Sequence, residues 1–471
     1  MVRHVPSRSS KQDLLTSVSR RMLVETLEPR VLLSGGLDPV QGAISVPGQV
    51  ERYVFSLAQE KQILFDSQTN SSSLNWSLTG PHGAIVSNLR LSASDPVDNS
   101  SAAPFDLVAG SYTLSVQGAA DATGTYQFRL LDLANAAPLI PGTPLSGTLN
   151  PGNETNLYQF SVNAGDKFYF DKQTLTGVTS SSEWRLLDPH EETVWATSLS
   201  NDIGTQSLTS SGTYTLLIEG GIANTGLINY SFNVQPVTNT TTALTLDGQI
   251  SDTITQTGQQ RNYTFNLATA GQLYFDSLTN DVNLNWTLTG PRGVEINARA
   301  FTNSDGVNFG SDPVLNLTAG SYTLTVAGVG DHTGSYSFRL SDLASAIPIT
   351  PGAVISSALN PGNATKLYQF NTNAGDLIYF DEQSVSGGPT VHWRLIDQYG
   401  QQVWFTSFSD VGTAAMPSTG TYTLLVEGYI GNTSPVTYSF NVQPVTNPTA
   451  ALTLGNQVNA AITQKIGRVH V

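Results

Sequence analysis

The chain has no cysteine in 471 residues, which removes disulfide frameworks, thiolate nucleophiles and thiolate-bound zinc or iron–sulfur centres together. Charge is scarce too. Asp, Glu, Lys and Arg make up 12 %, about half the ~25 % usual for globular domains, so the surface must be built largely from neutral hydroxyl and amide groups. No run approaches the ~18 apolar residues of a membrane-spanning helix. The N-terminus also lacks the roughly 7–15-residue apolar core of a secretory signal, its longest early apolar run being Val31-Leu32-Leu33. Basic residues are rare beyond the head. Residues 1–35 hold six Lys or Arg against three Asp or Glu; from totals of 21 and 36, this leaves 15 against 33 for residues 36–471. A body this acidic repels phosphate backbones, which argues against nucleic acid as a partner.

What the chain does have is repetition. A Tyr-x-Phe pair recurs at Tyr53/Phe55, Tyr158/Phe160, Tyr263/Phe265 and Tyr368/Phe370, and a Phe-Asp pair follows at Phe65-Asp66, Phe170-Asp171, Phe275-Asp276 and Phe380-Asp381. Each unit then shows Trp-x-Leu (Trp76, Trp184, Trp286, Trp393), Tyr-Thr-Leu (Tyr112, Tyr214, Tyr322, Tyr422) and a closing Tyr-x-Phe (Tyr126, Tyr230, Tyr336, Tyr438). Large apolar residues at alternate positions are the signature of strands with one buried face, and the intervening Pro-Gly-Asn and Asn-Ala-Gly-Asp clusters supply tight turns. These patterns predict an all-β protein: a tandem array of four antiparallel β-sandwich or jelly-roll domains behind a short, targeting-like N-terminal segment. Predicted spans are 1–36 for the head, 37–137 (A1), 138–239 (B1), 240–347 (A2) and 348–447 (B2). The letters mark that "LNWSLTGPHG" in the first matches "LNWTLTGPRG" in the third, whereas "SEWRLLD" in the second matches "VHWRLID" in the fourth. Residues 449–464 replay 241–256, so 448–471 reads as the truncated start of a fifth repeat.

Repetition also tests for chemistry, because a duplicated enzyme should keep its catalytic residues. His82 and His190 are replaced by Arg292 and Tyr399 at the equivalent positions of the other repeats, and no nucleophile–base pair can be assembled from what recurs. The expectation is a chain that is not an enzyme and needs no cofactor. The one carboxylate kept four times is Asp66, Asp171, Asp276 and Asp381. It reads either as a side chain accepting backbone N–H bonds at a strand-ending turn or, less favoured, as a calcium ligand. Trp195 and Trp404 occur only in the B repeats, beside Val194 and Val403. Adjacent strand residues face opposite sides, so inward valines would turn both indoles outward, making them ligand or interface candidates.

The order Tyr-x-Phe, Ala-Gly followed by Phe-Asp, a central strand ending in Pro-x-Gly, Ala-Gly-Ser-Tyr-Thr-Leu and a final Tyr-x-Phe resembles the bacterial pre-peptidase C-terminal domain over about residues 41–445. That family is a small β-sandwich attached to secreted peptidases and other exoproteins. At the head, "LEPRVLLSGG" (Leu27 to Gly36) resembles the LEPR-XLL motif of large bacterial surface or secreted proteins. Together these resemblances imply a non-enzymatic, extracellular or cell-surface stalk or adhesin, exported without a conventional signal peptide, with polysaccharide or cell-surface and matrix proteins as partners. The alternative is an array of carbohydrate- or protein-binding modules, or the accessory part of a secreted hydrolase.

Overall fold

The structure, a computed structural model, describes residues 30–31, 39–94, 97, 104–309, 313–387, 390–447, 449–455 and 457–461. Most of the head lies outside these residues. The chain divides into two compact units, residues 1–135 with 220–225, and residues 136–219 with 226–471.

The first unit carries sandwich A1. Its five-stranded sheet orders Arg30–Val31, Val50–Leu57, Gly110–Gly118, Leu74–Gly80 and Gly83–Arg90, and its four-stranded sheet orders Val40–Ile44, Gly124–Asp132, Lys61–Ser67 and Phe105–Leu107. Arg30–Val31, inside the LEPR-XLL-like stretch, is paired parallel to Tyr53–Val54. That edge position is taken by Ala137–Pro138, Thr240–Ala243 and Ile347–Pro348 in the other three sandwiches.

The second unit contains B1, A2 and B2, each repeating the same strand order in one five-stranded and one four-stranded sheet. The fold is thus all-β.

Alternation explains the strands. Along Val50–Leu57, Tyr53, Phe55 and Leu57 are buried, while Arg52 and Ser56 are exposed. The opening and closing Tyr-x-Phe motifs of each repeat lie on the two facing sheets, and their tyrosine hydroxyls meet across the core. The pairs Tyr53–Tyr126, Tyr158–Tyr230, Tyr263–Tyr336 and Tyr368–Tyr438 are 2.7, 2.6, 2.7 and 2.6 Å apart. A buried phenol without a partner is costly, so each motif needs the other. Gly42 and Gly147 lie beneath these pairs, where a Cβ would come within 2.4 Å of the tyrosine ring or its hydroxyl.

The A and B repeats differ in how they seat the core tryptophan. In the A type, Phe65 stacks on Trp76 at 3.8 Å and Phe275 on Trp286 at 4.0 Å, and each indole N–H donates to a serine hydroxyl, Ser94 or Ser304, at 2.7 Å. In the B type, Trp184 and Trp393 meet a second indole edge-on, Trp195 or Trp404, at 5.7 Å.

Candidate functional site

This second indole corrects the expectation for Trp195 and Trp404. Both point into the core of their own sandwich, where each also meets a phenylalanine, Phe170 or Phe380, at 4.9 Å. The cause is cross-strand pairing, which puts each indole on the same face as the core residue opposite it. Trp195 is paired opposite the buried Leu186, and the register then slips so that Leu187 faces Thr193. Val194 faces outward and is 42 % exposed. Trp404 is likewise paired opposite Leu395, although its neighbour Val403 is half-buried and packs against the B2 core. Val194 and Trp195 do face opposite sides, as alternation requires; the assumption that failed is that the valine is the residue turned inward.

The four recurrent aspartates belong to the four-stranded sheets, within the strands rather than at their ending turns, which corrects the turn-capping reading. In the A type the residue directly opposite is arginine: Arg129 Nε donates to Asp66 at 2.8 Å, and Arg339 lies 3.5 Å from Asp276. In the B type it is asparagine, Asn233 or Asn441. Asp171 and Asp381 instead accept from the amides of Gln173 and Gln383, at 3.2 and 3.3 Å. Among the described residues, Asp171 alone of the four belongs to a carboxylate group with the spacing of metal ligands, with Asp202 and Asp331, their oxygens all within 4.8 Å of one another.

That cluster marks a seam between B1 and A2. Tyr169 precedes Phe170-Asp171, so it faces outward where Phe170 faces inward. Yet it is only 6 % exposed, because A2 covers it. Its hydroxyl donates to Asp331 at 3.3 Å, and the hydroxyl of Thr205 donates to the Gly258 carbonyl at 3.1 Å. Gly258, at φ +74°, passes so close that a Cβ would lie 2.7 Å from the Tyr169 ring. Burial, then the neighbouring carboxylates, raise the pKa of Asp171, and the same order of causes raises that of Asp331.

A larger seam joins A2 to B2. Tyr274, the counterpart of Tyr169, is fully buried with Leu343, Ala346, Leu367, Ile396 and Leu425 in an apolar cluster drawn from both sandwiches. Around its hydroxyl sits a polar network shut off from water. Tyr274 donates to Glu427 at 3.3 Å and accepts from the Gly306 amide at 3.1 Å. Arg394 Nε lies 3.3 Å from both Glu427 oxygens, and its guanidinium also donates to the Gly306 carbonyl at 2.8 Å and to Gln402. The Phe405 ring backs it at 4.1 Å. Asp276 accepts from the Thr365 amide at 3.3 Å, while one oxygen each of Asp276 and Asp305 is buried without a hydrogen-bond partner among the described residues. Burial is the main reason that all three carboxyls are shifted upward: Asp276 to about 7, Asp305 well above the usual range, Glu427 in the same direction against the pull of Arg394.

Sequence reasoning passed over Tyr169, Tyr274, Arg394, Glu427 and Asp305. A signal was present for the first two: an aromatic residue next to a buried Phe in a strand must leave the core, and its recurrence at Tyr169, Tyr274 and Tyr379 calls for something to cover it. Arg394 and Glu427 have B1 counterparts in Arg185 and Glu219, which are themselves ion-paired.

No family model and no curated protein matches the chain. Among solved structures, a periplasmic inhibitor of g-type lysozyme from Aeromonas hydrophila is 13 % identical at a TM-score of 0.18, covering 21 % of this chain and 96 % of its own. The CUB1-EGF-CUB2 domains of rat MASP-1 are 8 % identical at 0.16, covering 43 % and 99 %. The triple jelly roll of an archaeal virus turret is 11 % identical at 0.12, covering 67 % and 84 %. Scores this low carry no argument about this chain. Among the described residues, no helix is long and apolar enough to cross a membrane.

Proposed function

We propose that the chain is a non-enzymatic structural repeat protein, exported from a bacterial cell and displayed as a stalk or adhesive spacer. The observation that carries this reading is how the recurrent polar and aromatic residues of the second unit are used. Tyr169, Tyr274, Asp276, Arg394 and Glu427 dock one sandwich onto the next, an arrangement suited to holding modules in fixed order. The resemblance of the head to LEPR-XLL proteins supports display outside the cell. Surface proteolysis of intact producing cells tests it: release of fragments of about 100 residues, the size of a compact domain, is expected. Full protection of the chain inside the cell would refute it, as would turnover of a peptide or glycan substrate abolished by a single substitution.

The alternative, an array of binding modules, depended on a pair of outward indoles, and these lie in the core. Trp195→Ala with Trp404→Ala is therefore expected to lower stability, by somewhat less per site than the roughly 3–5 kcal/mol of a fully buried ring because each is partly covered. Retention on insoluble polysaccharide should not change. Loss of retention at unchanged stability would restore the binding-module reading.

A further inference from the structure

Each half of the B1–A2 seam occurs a second time, one on B2 and the other on A1. On B2, Tyr379, Asp410 and Thr413 occupy the positions that Tyr169, Asp202 and Thr205 hold on B1, with the same residue types. Tyr379 donates to Asp410 at 2.9 Å, so the ring is held in place. It is half-buried, whereas Tyr169 is buried, and Asp410 and Thr413 are exposed. On A1, the counterparts of Gly258 and Asp331 are Gly48 and Asp121. Gly48 keeps the left-handed backbone, φ +78° against +74°, but a Cβ there would meet no described residue within 4 Å. The loop before Asp121 also repeats, with Ala120 at φ +51° and Gly330 at +56°. Val46, two residues before Gly48, is 59 % exposed.

We propose that the outward face of B2, at Tyr379, Asp410 and Thr413, docks the A1 sandwich of a second copy of this chain through Gly48 and Asp121, joining copies head to tail. The occupant follows from the seam already formed inside the chain: a B-type face with this tyrosine and threonine accepts an A-type sandwich at its glycine turn, and no described residue covers that turn on A1. A contact between two different faces does not close on itself, so it propagates into a filament rather than stopping at a symmetric dimer. It would bring Asp381, Asp410 and Asp121 together as Asp171, Asp202 and Asp331 are. Like charges at that spacing oppose docking, and a divalent cation or mild acid relieves them. The inference does not depend on where the protein is displayed.

Sedimentation of the full chain from about 1 to about 100 μM, a range that reveals weak association, with and without calcium chloride, tests it. The expected result is species that grow past the dimer with concentration, more so with calcium. Gly48→Asn tolerates the left-handed backbone but adds a side chain where the Tyr379 ring must sit; Tyr379→Ala and, on the same face, Thr413→Arg spoil the other half. Each should weaken assembly at least about tenfold while leaving far-ultraviolet circular dichroism unchanged. A mixture of Gly48→Asn and Tyr379→Ala chains retains one good head and one good tail, and should recover dimers that grow no further. The proposal fails if the native chain stays monomeric with calcium, if the variants assemble as it does, or if the mixture recovers nothing. It also fails if assembly survives Gly48→Asn but is lost on removing residues 449–471, since the exposed Leu452, Leu454 and Val458 would then be the contact.

Discussion

Replacing Arg394 by Met is expected to destabilise B2 and its seam with A2 by about 3–5 kcal/mol, because it leaves Glu427 as an uncompensated buried charge. Arg394 is 1 % exposed and Glu427 fully buried, so water cannot take over the lost contacts. The guanidinium also bridges the sandwiches through the Gly306 carbonyl, and the substitution should therefore loosen both partners. Several sandwiches in one chain make a single unfolding midpoint ambiguous. Hydrogen exchange resolves the site: strands Val391–Ile396 and Gly420–Gly428 should lose protection while A1 does not. Arg394→Met combined with Glu427→Met should recover much of the loss, since a buried ion pair replaced by apolar groups of similar volume is often neutral or better. Unchanged exchange in the single variant would mean that the pair contributes nothing.

The second large effect is a stability that falls as pH rises. Asp276 is buried and pushed up to about 7 from its ordinary 3.8, chiefly by loss of hydration, with Glu427 adding to the shift and Arg339 and the Thr365 amide opposing it. Between those values the folded chain binds a proton that the unfolded chain releases. Stability is then greatest below about pH 4 for this group, declines as pH climbs through 7, and is level above. At ~1.4 kcal/mol per unit, the swing is on the order of 4 kcal/mol. Asp305 and Glu427 are shifted in the same direction and steepen the decline. Other ionisable groups also contribute to the pH dependence of the whole chain, so the informative quantity is the difference between the native chain and Asp276→Asn. Exchange protection in Gly271–Ser277 and Thr365–Thr372, measured from pH 5 to 8, should fall in the native chain and vary less in the Asn variant. Equal slopes, or protection rising with pH in the native chain alone, would overturn the assignment.

How much of this was legible beforehand depends on whether a residue's role is local. The period of the Tyr-x-Phe and Phe-Asp pairs and the alternation within Tyr-Thr-Leu determined by themselves that the chain is a series of β-sandwiches, because a strand's buried face is written in every second residue. Trp76, Trp184, Trp286 and Trp393, which recur in all four repeats, are buried in the four cores. Alternation alone could not say which of Val194 and Trp195, or of Val403 and Trp404, meets the core, because the choice is set by the pairing of Trp195 with Leu186 and of Trp404 with Leu395 on a neighbouring strand. The recurrent aspartates show a different limit. Asp66 and Asp171 follow the same Phe in the same strand, yet one faces Arg129 and the other Asn233, a distinction fixed by a strand some 60 residues away. The seams were least visible of all. Arg394, Glu427, Tyr274 and Asp305 are scattered over more than 150 residues and acquire a common role only when two finished sandwiches meet. Local periodicity determines each sandwich because burial of its strands is decided within the repeat, whereas pairing across sheets and docking between sandwiches are decided by which surfaces the completed fold brings into contact.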